Sequence, residues 1–240
     1  PVYNVNTTVL IKQDDKNKTS GQNASLAAMQ DLGMLSMANN FDNEVEIIQS
    51  RTLLKKVVNT LNLNITYKEK RSFGYPTQLY KNTPIQVWIN PEEADKLPSA
   101  LDIKLAYNSN GKVQADAFFN YNGEEQTLSK HFDQLPGVLV TPVGTITLTP
   151  KDTIKIENPH TIYATIISPT AAAEDCSSRL SAEPTSKFTT IVRLNYNDTH
   201  VKRGMDFLNT LVTLYNNDAN EDKNEVASRT AEFIDERIRI

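Results

Sequence analysis

The chain opens on strict alternation. In YNVNTTVLIK, Tyr3, Val5, Thr7, Val9 and Ile11 fall on one face and Asn4, Asn6, Thr8 and Lys12 on the other, the period-2 signature of a half-buried strand. The polar, glycine-containing run KQDDKNKTSGQN that follows predicts a loop. Apolar spacing then widens to three and four. ASLAAMQDLGMLSM places Leu26, Met29, Leu32 and Met34 or Leu35 at helical intervals, weakened by Gly33. NEVEIIQSRTLLKKVVNTLNL carries a fuller stripe of Val45, Ile48, Thr52, Leu54, Val58 and Leu61. With Asn43 placed to cap and Glu44 and Glu46 in the first turn, it predicts one helix from Asn43 to Leu61.

From about residue 83 to 170 the alternation returns. LDIKLAY and KVQADAFFNY flank Asn108-Ser109-Asn110-Gly111, Asn122-Gly123 follows at once, and GTITLTP alternates after Pro142. Asn-Gly between alternating runs is the strongest short hairpin signal, so this region predicts a β-meander. Prolines at 84, 91, 98, 136, 142, 150, 159 and 169 punctuate it and exclude long helices.

The last third is mixed. KFTTIVRLNY alternates Phe188, Thr190, Val192, Leu194 and Tyr196 as a strand. Asn197 or Asp198 then caps a helix with the stripe Val201, Met205, Leu208, Leu211 or Val212, and Tyr215. NNDANEDKNE is polar all round but holds no breaker, and the stripe resumes at Val226, Thr230 and Phe233, so one helix of about 40 residues, near 60 Å, is expected. AEFIDERIRI has no capping residue to close it. A strand from the first residues and a helix still running at the last suggest a piece of a longer protein.

Composition narrows the function classes. The 240 residues are 39% hydrophobic and 22% charged, an ordinary balance for a folded domain with a real core. A net charge of -4 offers no footprint for a phosphate backbone, which argues against a nucleic-acid partner. There is no uncharged apolar run long enough to span a bilayer and no signal-peptide pattern, so any membrane anchor is expected outside these residues. The single Cys176 excludes an internal disulfide.

No constellation carries chemistry. His131, His160 and His200 are scattered, without a second ligand at metal spacing, and solvated surface is the plainer reading of each. Cys176 in AEDCSSRL sits among acids that oppose thiolate formation, and no oxyanion loop surrounds it. The pairs Glu92-Glu93, Glu124-Glu125 and Glu174-Asp175 are adjacent in sequence, which on a strand sends them to opposite faces and removes a glycosidase-like couple. Met29, Met34 and Met37 suit core filling, and eight glycines build no phosphate loop. The expectation is a non-enzymatic chain with no catalytic residue, metal or cofactor.

Four phrases carry a family resemblance. NEVEIIQSRTLLKKVVNTLNLNITY resembles the segment after the first membrane helix in the bacterial polysaccharide co-polymerases, the chain-length determinant proteins. TTIVRLNYNDTHVKRGMDFLNTLVTLYNNDANEDKNEVASRTAEFIDERI resembles the later strand and long helix of that family, with His200 where a proline is common. TPVGTITLTP and IISPTAAAEDCSSRLSAEPTSKFTT resemble the larger members that carry a cytoplasmic tyrosine kinase. The resemblance implies a periplasmic domain on the inner membrane, anchored by helices outside this chain. It also implies a self-associating ring that controls chain length and export of capsular polysaccharide, exopolysaccharide or O-antigen. Its implied partners are further copies of itself, a polysaccharide polymerase, an outer-membrane export channel and the growing polysaccharide.

The expected fold is α+β. A mixed sheet and packed helices from residues 1–82 and 185–240 form a membrane-proximal base, and residues 83–184 are a β-rich insertion. Glu44, Arg51 and Lys55, on the charged face of the Asn43 helix, are candidate contacts between copies, as is the polar stretch Asn216 to Glu225. The alternative function is a carbohydrate-binding module, in which Trp88, Tyr107, Phe119 and Tyr121 are the aromatic rings available to stack on sugars.

Overall fold

A computed structural model of the chain describes residues 1–11, 41–69, 76–108, 112–151, 160–186 and 189–238. In chain order the elements are β1 (Tyr3–Leu10), α1 (helical residues 41–48), α2 (Arg51–Leu61), β2 (Ile65–Glu69), β3 (Thr77–Leu79), β4 (Ile85–Ile89) and α3 (Pro91–Ala94). There follow β5 (Leu101–Tyr107), β6 (Val113–Tyr121), β7 (Glu124–Phe132), β8 (Gly137–Thr141), β9 (Gly144–Pro150), β10 (His160–Ile166), α4 (Pro169–Arg179), β11 (Leu180–Pro184), β12 (Ile191–Asp198) and α5 (Val201–Ile238). The class is α+β. Every strand pairing among the described residues is antiparallel, which corrects the mixed sheet expected from sequence: no helix here serves as a crossover between neighbouring parallel strands. The expected helix over ASLAAMQDLGMLSM lies outside the described residues, as do Met29, Met34, Met37 and Phe188.

Two compact units divide the chain, Pro1–Val57 with Ser177–Ile240 and Val58–Cys176. The division expected from sequence lies near residues 82 and 185. In the structure β2 and β3 belong to the second unit, because β2 pairs with β10, and β11 belongs to the first, because it pairs with β12.

In the first unit the sheet order is β1-β12-β11. β1 and β12 run in register from Tyr3 opposite Asp198 to Leu10 opposite Ile191. Alternation sends Val9 and Ile11 inward with Val192, Leu194 and Tyr196, and α5 packs on β1 and β12. Phe207 stacks on Tyr196 with centroids 4.0 Å apart and planes 18° apart. A Cβ added at Gly204 would stand 2.7 Å from Val5 Cγ2, so the missing side chain is what lets the helix approach β1. The buried face of α5 is Gly204, Phe207, Leu208, Leu211 and Tyr215. The stripe expected from sequence ran through Val201 and Met205, which are 41% and 52% exposed; counting apolar residues overlooked the glycine that sets the helix rotation.

The expected single helix from Asn43 to Leu61 is two. Residues 41–48 are already helical before Asn43, so Asn43 is not its cap, and the chain breaks at Gln49-Ser50. Ser50 restarts it: its hydroxyl accepts from the Leu53 amide at 3.3 Å and its carbonyl from the Leu54 amide at 3.0 Å.

The second unit packs a six-stranded sheet, β3-β2-β10-β5-β6-β7, and a three-stranded sheet, β4-β9-β8, around one core. Leu101, Ile103, Leu105, Ala115, Ala117, Ile162 and Ala164 from the larger sheet and Val87, Leu139, Ile146 and Leu148 from the smaller meet there. A hydrogen bond ties the layers, since the Tyr67 hydroxyl accepts from the Val87 amide at 2.9 Å. Burial pushes that phenol up to about 12, against the lowering effect of the Val87 backbone. Asn122 and Gly123, with φ of 55° and 85°, make the two-residue turn between β6 and β7 that the Asn-Gly signal predicted.

Candidate functional site

Opposite parities separate the aromatic candidates. β5 turns Leu101, Ile103, Leu105 and Tyr107 inward, leaving Tyr107 6% exposed in the core. Its phenol is pushed up to about 12 by burial and by the charge of Glu69. Phe119 is likewise 5% exposed. Both are corrected from glycan contacts to core residues: in AFFNY one phenylalanine of the pair must face in and the other out, and the register with β5 and β7 chooses Phe119 for the inside. Trp88 and Tyr121 stay at the surface, 45% and 38% exposed, and Phe118 joins them at 44%. Trp88 stands on the outer face of the small sheet, in line with Thr147 and Val138 across three strands.

Tyr121 borders a groove of about 560 Å³ in the second unit. Three short connections meet there: the stretch from α3 to Pro98, the β6–β7 turn and the β8–β9 turn. The Asn90 side chain caps α3 by accepting from the Glu92 amide at 2.9 Å, with Pro91 in the first turn. Glu93 Oε2 then accepts from the Thr145 amide at 2.8 Å, pinning α3 to β9. The Thr141 hydroxyl donates to the Gly144 carbonyl at 2.8 Å and fixes the β8–β9 turn. Asn120 Oδ1 accepts from the Gly123 amide at 3.1 Å and fixes the other.

The candidate contacts between copies divide as well. Glu44 accepts the Tyr215 hydroxyl at 2.6 Å, which ties α1 to α5 inside the first unit. Burial, the hydrogen bond and the charge of Glu44 all raise the Tyr215 phenol. Arg51 is exposed and Lys55 half-buried on α2. On that helix Lys56, which the sequence did not single out, pairs with Asp218 of α5 at 2.8 Å. Asp218 belongs to the polar stretch proposed for contacts, and it is engaged within the fold.

At the start of α5 the sequence undervalued one carboxylate. Asp198, 2% exposed, accepts two hydrogen bonds from Arg203 Nε and one at 2.6 Å from Arg203 Nη2, and one at 2.8 Å from the His200 amide. Arg179 Nη1 lies 3.5 Å away and its guanidinium sits over the Tyr196 ring. Burial alone would raise the carboxyl, but the Arg203 and His200 hydrogen bonds and the two guanidinium charges outweigh it, and it is held below its usual range. His200 is the cap, its Nδ1 facing the Arg203 amide at 3.4 Å. A second groove, about 660 Å³, opens beside this turn with Tyr3, Val201 and Met205 on its walls.

His131 is exposed, with Nδ1 3.2 Å from Gln114 Oε1, Cys176 is buried on α4, and the side chain of His160 lies outside the described residues. Glu92 and Glu93 lie on α3 and Glu174 and Asp175 on α4, helices and not the strands expected from sequence. Among the described residues no three His, Cys, Asp or Glu side chains gather to hold a metal, and no helix is long and apolar enough to cross a membrane. The sequence matches no protein-family model, and no curated protein is significantly similar to it.

Proposed function

We propose that this chain is the extracytoplasmic domain of a polysaccharide co-polymerase, a non-catalytic module that self-associates and sets the chain length and export of a capsular polysaccharide, an exopolysaccharide or an O-antigen. The observation that carries the reading is the ordered resemblance of four phrases along nearly the whole chain. The antiparallel pairing of β1 with β12 and the 38 residues of α5 are compatible with a domain whose first and last segments share one unit. Copies tethered to one membrane share orientation and a high local concentration, so faces too weak to associate in solution close a ring.

Arg51 and Lys55 are the surface to test. In cells carrying the full-length protein, Arg51→Glu with Lys55→Glu is expected to shift the length distribution of the surface polymer at unchanged protein level, read by gel electrophoresis of extracted polysaccharide. An unchanged distribution removes this face from the mechanism, and an unchanged distribution on deleting the gene removes the co-polymerase reading. The second reading, a carbohydrate-binding module, is favoured by the exposure of Trp88 and Tyr121; a polymer length that ignores the protein while glycan binding persists would select it.

A further inference from the structure

We propose that the groove between α3 and the two hairpin turns of the second unit is a saccharide subsite that takes a neutral pyranose segment. That the segment belongs to the exported polymer rests on the co-polymerase reading; the subsite itself does not. The chemistry of the walls selects the ligand. Pro98, Pro142 and the Tyr121 ring offer flat or C–H-rich surface, which suits the apolar faces of a sugar ring. Around them stand Glu93, an acceptor, Lys96, a donor, and Asn122 and Thr145, each able to do both. One acid and one base leave the lining without net charge, so neither an anion nor a cation is favoured. A ligand with many hydroxyls, donating and accepting at short intervals, satisfies every one of these groups.

The site is also built beforehand. Glu93 is held by the Thr145 amide, which occupies one carboxylate oxygen and leaves the other for a ligand hydroxyl. Both turns are closed by their own side-chain hydrogen bonds. A Cβ at Gly144 would meet Ile89 Cδ1 at 2.9 Å and Glu93 Oε2 at 3.3 Å, so the bare backbone there keeps the carboxylate in place. A volume of about 560 Å³ lies within the range of small-molecule sites and holds a short oligosaccharide stretch.

The test uses the whole 240-residue chain, labelled with nitrogen-15. The probe is a mixture of short oligosaccharides obtained by partial hydrolysis of surface polysaccharide from the cells that make the protein. Saturable shifts centred on the amides of Lys96, Tyr121, Asn122 and Thr145 are expected. Tyr121→Ala should weaken binding by about fivefold to tenfold, the worth of one stacked ring. Lys96→Ala, at an exposed position, should weaken it too. Absence of shifts at the groove, or wild-type affinity in both Tyr121→Ala and Lys96→Ala, overturns the subsite. If polymer length still responds to the protein in cells when the groove binds nothing, the subsite fails and the co-polymerase reading stands. If the groove binds glycan and polymer length ignores the protein, the reverse holds.

Discussion

Two positions at the β12–α5 junction decide how the first unit holds. Asp198 is nearly dry and its charge is matched by Arg203, which is itself only 12% exposed at the side chain. Asp198→Asn therefore leaves a largely buried guanidinium short of its counter-charge, and a loss of about 3 kcal/mol is expected by urea denaturation at neutral pH. The sign with pH follows from the lowered carboxyl: its contribution is whole above the unfolded value of about 4 and drains away as pH falls through the folded value beneath it. The gap between wild type and Asp198→Asn should thus be constant above about pH 5 and close below about pH 4. Gly204→Ala sets two effects against each other. Alanine gains about 1 kcal/mol of helix propensity, but its methyl would sit 2.7 Å from Val5 Cγ2, with Asp198 Cβ and Tyr196 Cδ1 also in contact, and overpacking costs about 1–3 kcal/mol. Net destabilisation is expected, and a stability equal to or above wild type would show that α5 can retreat from β1 without cost.

α5 behaves as two helices joined end to end. Its first half buries Phe207, Leu208, Leu211 and Tyr215, while from Asn224 to Ile234 every residue is exposed, Phe233 to 58%. An isolated helix of that length is marginal in water, so hydrogen exchange should be slow for amides near Leu208 and fast for those near Thr230. Equal protection along the helix would mean that the second half is stabilised by something other than its own side chains. The elements also show where pattern reading works. β1 and β12 were legible because each alternates cleanly, and the β6–β7 turn because Asn-Gly admits positive φ. α4 was not: its apolar content is alanine, and Pro169 counted as a breaker. Ser168 and Pro169 are in fact a helix start, the serine hydroxyl accepting from the Ala171 amide at 3.0 Å and its carbonyl from the Ala172 amide at 3.0 Å. The break at Ser50 hid for a related reason, since a capping serine inside an unbroken apolar stripe looks like any other polar position. Of the candidate sites, Tyr121 was visible as an aromatic near a turn, but its neighbours in the groove come from segments distant in sequence, and only the register brings Glu93 to Thr145.

The second unit carries its own core. The residues of its buried cluster run from Ile65 to Ile166, so a fragment spanning 58–176 is expected to fold alone, with a well-dispersed nitrogen-15 spectrum and a cooperative melt. A collapsed, undispersed spectrum would make that core dependent on the rest of the chain. The strand pairing within each unit has a consequence in time. Neighbours such as β5 with β6 and β6 with β7 lie close in sequence and need little chain between them. Tyr3, by contrast, faces Asp198, and Leu10 faces Ile191. A chain made from its N-terminus holds all of Val58–Cys176 before it holds β12, so loop closure of the β1–β12 span is expected to follow the local contacts. Until then β1 has an unpaired edge, and the threonines and asparagines that interrupt its apolar positions make it a poorer template for wrong strand partners.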